Sequence, residues 1–375
     1  MGDTVFKSSA PQTVKIWSAM LFKETRGQIF FGKFVGKDDK SLIQEKVDLS
    51  KERGDKIGFD LRMKLSGRGR TNDQTLEGQE EEMVFKHFAT QVFLRQNGVK
   101  AKGKMTLRRT KHDIKVEGRD ALADWMAEMI DDDTVLALSG LENPSLIDDD
   151  DVVVPAVPPS ANRILYGGVS PAGVVGMVAS DSLIANTSHA HLFGPKLLEI
   201  LKRKAQLVRP KIRPVKVNGK EYYVCFIHPL QAKALTASEE WLADQRNANV
   251  RGTDNPIFSG MLGIYKGVVV HEYERIMTRL GEAGNGTGSY FDIRSNTEDN
   301  LPTGVMAARA LFCGAQAGVH CYAQYPGWYE KDFDYNRVPG VATDVIYRAD
   351  KTRFTLDGVS EDFAVICMDT AVEED

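Results

Sequence analysis

Cysteine is scarce. The chain has 375 residues and four cysteines, Cys225, Cys313, Cys321 and Cys367, and none forms a CxxC pair. Three of them lie in apolar runs, where a free thiol packs as a small hydrophobe. A disulfide framework is therefore not expected. Long apolar runs are absent too. None approaches the ~18 residues that a membrane-crossing helix needs, so no membrane partner is expected. Met1 to Val5 shows no basic stretch leading into an apolar one, so no secretory signal is read there. Lys and Arg are missing altogether between 121 and 160, a stretch that holds 10 Asp and Glu.

Catalytic signatures are equally sparse. Gly284-Asn-Gly286-Thr-Gly288 lacks the Lys-Ser/Thr and the strand-to-helix setting of a phosphate loop. His189 and His191 stand two apart near Asp181, but no third ligand has a convincing spacing. His271-Glu272 lacks the second histidine of a zinc-protease helix. No Gly-x-Ser-x-Gly elbow occurs. The aspartate runs 131–133 and 148–151 lack the alternation and the glycine of a calcium loop. No enzymatic activity, cofactor or metal is expected from these residues.

What the chain does have is ordinary globular composition. It is 42% hydrophobic and 27% charged, with a net charge of -4. Its 17 Phe, 11 Tyr and 4 Trp exclude global disorder. The length allows about two or three domains. Charge is unevenly spread. Residues 1–120 hold 25 Lys and Arg against 17 Asp and Glu, followed by the purely acidic stretch. Such asymmetry suits contacts between copies, or a weakly basic face toward a polyanion.

The pattern of elements reads as mixed α+β. Residues 1–50 form an arm. Val14, Trp17, Met20 and Leu21 fall at helical spacing, and Phe30, Phe31 and Phe34 follow between glycines. So short a segment cannot bury its own aromatics, and they must lie on its own body or on a neighbour. From 57 to 65, Ile57, Phe59, Leu61, Met63 and Leu65 alternate with polar residues or glycine, the sign of a strand. A polar, glycine-rich stretch and a second apolar arm, Met83 to Leu94, complete a long β-hairpin with a wide tip. A lone hairpin is marginal in water, so it must lean on another surface. Residues 119–138 read as a long amphipathic helix. Leu122, Trp125, Met126, Met129, Ile130 and Leu136 form one stripe, interrupted at Asp131, Asp132 and Asp133, and Gly140 ends it. Gly194-Pro195 opens a basic helix. Val215–Val217, Asn218-Gly219 and Glu221–Ile227 read as a tight hairpin. Short strand-like runs follow at Gly267–Val270, Val345–Tyr347, Arg353–Leu356 and Phe363–Cys367. Residues 160–190 have no clear pattern, and 281–304 read as a loop.

Four separated segments carry a resemblance. They are Leu76-Glu-Gly-Gln-Glu-Glu-Glu82, Glu221-Tyr-Tyr-Val-Cys-Phe-Ile-His-Pro229, Asn255-Pro-Ile-Phe-Ser-Gly-Met-Leu-Gly-Ile-Tyr-Lys-Gly-Val-Val-Val-His-Glu272, and Ala308-Arg-Ala-Leu-Phe-Cys-Gly-Ala-Gln-Ala317. In this order, over roughly 45–370, the chain resembles the major capsid proteins of schitovirus-type podophages, relatives of the Hong Kong 97-type shell proteins. The resemblance implies that fold: an N-terminal arm (1–50), an extended β-hairpin loop (51–100), a peripheral domain with a long spine helix (101–208), an axial domain (209–330) and C-terminal strands returning to the body (331–375). It implies a shell subunit that assembles with itself into hexamers and pentamers around packaged double-stranded DNA, held by non-specific contacts. A portal protein, a scaffolding protein and a decoration protein are the other partners it suggests, with assembly in the host bacterial cytoplasm. About 50 residues precede the hairpin, without a ~100-residue acidic or coiled-coil extension. Scaffolding is thus expected from a separate chain. An encapsulin-like protein compartment and a soluble enzyme are the alternatives.

The same layout lays the hairpin of one subunit over the peripheral domain of the next. Arg68 and Arg70 at the hairpin are then expected to meet Asp131, Asp132 and Asp133 across a subunit boundary. Trp17, Phe30, Phe31 and Phe34 are expected to serve as the arm's contacts with a neighbour.

Overall fold

A computed structural model describes residues 11–47, 54–62, parts of 71–83, 85–109, 114–148, 151–155, 157–169, 175–178, 192–217, 219–247, 260–280, 290–291, 306–335, 338–356 and 359–372. The described chain opens with helix α1 (Pro11–Gln28), a 3-10 turn (Phe31–Phe34) and strands β1 (Val35–Gly36) and β2 (Ile43–Lys46). The hairpin strands are β3 (Lys56–Arg62) and β4 (Phe85–Gln91), followed by β5 (Phe93–Lys100). Helices α2 (Lys104–Arg109) and α3 (Ile114–Ser139) lead to β6 (Ile164–Val169) and β7 (Val175–Val178). Next come α4 (Pro195–Leu207), β8 (Val215–Val217), β9 (Lys220–Ile227), α5 (Pro229–Thr236) and α6 (Glu239–Asn247). Strand dominates from there: β10 (Gly263–Tyr265), β11 (Val268–Glu272), β12 (Thr278–Leu280), β13 (Tyr290–Phe291), β14 (Met306–Cys313), β15 (Gly318–Phe333), β16 (Val338–Lys351), β17 (Arg353–Leu356), β18 (Val359–Asp362) and β19 (Val365–Ala371).

Two sheets carry the architecture. One has five strands in the order β1-β2-β15-β16-β5. The spine helix α3 lies against β16, and α1 lies against α3 and β15. Met126, Met129 and Ile130 of α3 pack on Tyr322, Val345 and Tyr347. Leu21 of α1 and Leu122 of α3 pack on Trp328 and Val341. The helix stripe read from the sequence is therefore the buried face, with one change. Past Ile130 the stripe continues through Val135 and Leu138, both buried, rather than through Leu136.

The spine helix ends in a Schellman motif. Gly140 N–H donates to Ala137 O at 3.1 Å and Leu141 N–H to Leu136 O at 3.0 Å. This geometry needs a left-handed residue, and Gly140 supplies it at φ +69. A side chain there would also strike Val157 O, 2.6 Å from an ideal Cβ.

The second sheet has ten strands. Its main path is β10-β11-β9-β14-β19-β6-β7, with β12 on β14, β13 on β12, and β8 on β9. Most of its pairs are antiparallel, but β11 with β9 and β19 with β6 are parallel. The central strands β9, β14 and β19 are buried over most of their length and largely apolar, as a sheet covered on both sides requires, with Arg309 and Asp369 as buried charged exceptions. Leu197, Leu198 and Leu201 of α4 join the same core. Gly194 precedes α4 and Pro195 begins it, as the sequence predicts. β8 pairs with β9 with Val217 opposite Lys220, and Gly219 between them has φ +78.

Two sequence boundaries differ from the sheets. A division at 330 falls inside β15, whose pairing with β16 runs from Gly318↔Lys351 to Phe333↔Val338. Likewise β5, within the expected hairpin segment 51–100, pairs with β16 and not with β4. The region without pattern, 160–190, contributes β6 and β7 to the ten-stranded sheet. Residues 179–191 and most of 281–304, with the His189/His191 pair and the Gly284–Gly288 loop, lie outside the described residues.

Candidate assembly surfaces and the arm junction

The arm returns to its own body. Phe31 and Phe34 are buried, and Phe30 is half-buried. The Phe30 ring stacks on Tyr273 at 4.2 Å, and Phe31 and Phe34 each meet Phe226 edge-on at 5.1 Å. His271 closes the cluster, 5.0 Å from the Phe34 ring. This settles one alternative left open by the sequence. The apolar surface of Phe31 and Phe34 is covered within the subunit, while Phe30 keeps part of its surface exposed. Trp17 lies on α1, and its side chain is outside the described part of the structure.

The spine aspartates are likewise engaged at home. Asp131 Oδ2 accepts the Phe30 N–H at 2.8 Å, and Oδ1 accepts the Phe31 N–H at 3.1 Å. The carboxylate so caps the 3-10 turn that follows α1. Burial pushes its pKa up to about 6, against the opposing pull of the two amides and of Arg275. Asp133 is also buried and its pKa raised by that burial. It accepts from Tyr347 Oη and Asn143 Nδ2, with Arg95 at 3.6 Å. Asp132 Oδ2 binds Arg275 at 2.8 Å, and Arg275 also reaches Glu128 at 2.9 Å. Within the subunit the three carboxylates therefore occupy three separate intrachain sites. The physical reason is that two of the three carboxylates satisfy buried donors. Arg68 and Arg70 lie outside the described residues.

Buried polar groups tie α3 to both sheets. Arg309 on β14 binds Asp369 on β19 through Nε and Nη2 at 2.8 and 2.9 Å, while Nη1 donates to Ser139 O at 2.8 Å. One guanidinium so clamps the end of the spine helix to the ten-stranded sheet. A lone Arg in Ala308-Arg309-Ala310 and a lone Asp in Met368-Asp369-Thr370 were its sequence signal. His320 on β15 is buried beneath α3, its Nε2 2.9 Å from Thr134 Oγ1. Burial lowers its pKa to about 4. It sits in the sheet as a neutral hydrogen-bonding side chain. Among the described residues no three His, Cys, Asp or Glu are grouped to hold a metal.

The hairpin has two parts. Near its base, Ile57 and Phe59 cluster with Val319 and Cys321, and Phe88 lies 6.3 Å from Phe354. Farther out, Met83 and Phe85 are 55% and 58% exposed. The base leans on its own body, and the outer part presents apolar side chains that are exposed among the described residues.

The mixed fold is framed by two sheets, the long helix α3 and the β3–β4 hairpin. The sequence matches the Phage capsid protein family over residues 5–374. It is 28% identical over 367 residues to the major capsid protein of Pseudomonas phage KPP25, covering 94% of this chain and 93% of that one. The structure is similar to the capsid of Ralstonia phage GP4, with a TM-score of 0.74, 28% identity and coverage of 100% and 99% of the two chains. It is also similar to the capsid asymmetric unit of cyanophage Pam1, with a TM-score of 0.66, 22% identity and coverage of 100% and 97%. The chain belongs to the phage capsid protein family, and its role is that of a major capsid protein of a phage head.

Proposed function

We propose that copies of this chain form hexamers and pentamers that close into an icosahedral shell around double-stranded DNA. The observation that carries this is the outer hairpin, with Met83 and Phe85 exposed on a structure that cannot be stable alone. In a closed lattice each hairpin is covered by a neighbour. The Hong Kong 97-type layout fits the same reading. α1 to β2 serve as the arm, and β3–β4 as the extended loop. α3 with the five-stranded sheet serves as the peripheral domain, and most of the ten-stranded sheet as the axial domain. A portal, a separate scaffolding chain and a decoration protein complete the proposed assembly, which proceeds in the host cytoplasm, and the chain performs no catalysis. Expression of the full chain with its neighbouring head genes, followed by negative-stain microscopy, tests this. Closed particles of megadalton mass support it; a small oligomer refutes it.

The hairpin arginines need a new target. Arg68 and Arg70 are proposed to approach the solvent side of a neighbour's α3, where Asp124 and Glu128 are exposed while also meeting Gln28 and Arg275 of their own subunit. Reversing both arginines to Glu should then impair assembly at low salt. Normal assembly of that variant rules the contact out.

A further inference from the structure

The chain is acidic overall, yet one surface is strongly basic. Residues 195–220 hold nine Lys and Arg and a single acid, Glu199. The structure makes this a contiguous face. Helix α4 buries Leu197, Leu198, Leu201 and Ala205 and turns Lys196 and Arg203, two turns apart, to solvent. The chain then folds back on the helix end, where Ile212 N–H donates to Ala205 O at 3.1 Å. That return leaves Arg209, Lys211 and Arg213 exposed around the buried Ile212. The β8–β9 turn adds Lys216 and Lys220, both exposed. The β10–β11 turn abuts the same face, since Lys202 Nζ donates to Lys266 O.

Most of this charge is not neutralised locally. Glu199 is held by Lys266, and Lys216 pairs with Glu221 at 3.3 Å. Lys196 pairs with Glu240 at 3.9 Å and Arg203 shares the field of Glu199, whereas Lys204, Arg209 and Lys211 form no ion pair among the described residues. A surface that keeps several cations free on rigid elements calls for an external polyanion. From Lys196 to Arg209 the face spans roughly 20 Å at ~1.5 Å per helical residue. A duplex of that length carries about 12 phosphates on its two strands, at one per ~1.7 Å of axis, of which only those on the near side meet the face. A protein partner would instead be marked by an aromatic or apolar centre. Here the exposed apolar side chain is Leu207 alone, and single exposed leucines are ordinary.

We propose that the α4 face, with Arg203, Lys204, Arg209 and Lys211 at its centre, is the shell's contact with the phosphate backbone of packaged double-stranded DNA. The inference rests on the shell reading above and adds which face of the subunit meets the genome. The contact is sequence-independent, made by cations alone.

Two measurements test it. In DNA-filled heads, formaldehyde cross-linking followed by mass spectrometry should find nucleotide adducts on peptides from 196–220. Adducts confined to other segments would overturn the proposal. Second, the full-length subunit should bind a short DNA duplex with a steep salt dependence. The triple variant Arg203→Ser, Arg209→Ser, Lys211→Ser should lower the slope of log K against log salt by about 2–3, since each phosphate contact contributes ~0.9. An unchanged slope would overturn it. So would a variant that binds duplex normally but loses an acidic co-assembling protein, because the face would then be a protein-docking surface. Failure to form particles at all refutes the shell reading, while the duplex titration still reads the face itself.

Discussion

Phe30 and Asp131 are 101 positions apart in the chain, yet the Phe30 N–H donates to Asp131 Oδ2 at 2.8 Å. With the second bond from Phe31, this carboxylate fastens the arm to the spine helix. Removing it leaves two amides without their acceptor, at a cost of ~1–3 kcal/mol for each buried group left unpaired. Asp131→Ala should lower the unfolding midpoint and open 11–34 to proteolysis before the rest of the chain. Equal protease resistance in variant and parent would contradict the fastening role.

Two buried groups in this layer titrate with opposite consequences. Asp131 has its pKa raised from 3.8 to about 6, so its burial favours the protonated form. The stability tied to it is complete below about 4 and is lost as pH rises through about 6. His320 has its pKa lowered from 6.5 to about 4. Its contribution is complete above 6.5 and is lost as pH falls toward 4. Each shift of about two units corresponds to ~3 kcal/mol. Over pH 4–6.5 the two oppose each other, so the parent should show a shallow dependence. His320→Gln should unmask the rise in stability on acidification, as read by urea midpoints at pH 4.5 and 6.5. A variant with the parent's shallow profile would show that His320 does not balance Asp131.

The local elements were legible in the residues. The alternation from Ile57 gave the hairpin strand, the Leu122–Ile130 stripe the spine helix, and Gly140 its end. The long strands β15 and β16 were harder to read. Around Pro326-Gly327 the pairing of β15 slips, with irregularities between Tyr322, Gln324 and Gly327. A proline without an N–H and a bulge both break the period of two on which strand reading depends. The roles of Asp131 and Asp133 were out of reach for another reason. The donors to Asp131 are backbone N–H groups of a distant turn, which leave no mark in side-chain type. The Tyr347 hydroxyl reaches Asp133 only through the tertiary fold, so each buried acceptor looks like a surface acid. The aromatic run Phe30–Phe34 was legible as needing cover, but which body supplies it depends on topology.

The Arg309–Asp369 pair gives a stability prediction. Both side chains are almost completely buried. Arg309→Met strands the Asp369 carboxylate and frees Ser139 O, and breaking such a pair costs ~3–5 kcal/mol. The double variant Arg309→Met, Asp369→Leu removes both charges and should recover much of that loss. Urea unfolding of the full chain measures it. A single variant within about 1 kcal/mol of the parent would mean that the clamp does not secure α3 to the ten-stranded sheet.

Phe85 separates folding from assembly. It stands opposite Arg62 on the hairpin and is 58% exposed, while the base of the hairpin is anchored by Ile57 and Phe59. Phe85→Ser should therefore change subunit stability by no more than ~0.5 kcal/mol, as an exposed substitution does. In a shell the same ring would be covered by the next subunit, and fully burying a Phe contributes ~1.5–3 kcal/mol. That term recurs at every subunit of a closed lattice, so its loss should suppress particle formation far more than it affects the chain alone. The expected result is an unchanged thermal midpoint with at least about a tenfold lower yield of closed particles by sedimentation. Ile57→Ser should do the reverse, lowering the midpoint first, because that side chain is 1% exposed within the subunit. If Phe85→Ser assembles like the parent, the outer hairpin is not buried by a neighbour, and the assembly contact must lie elsewhere on the subunit.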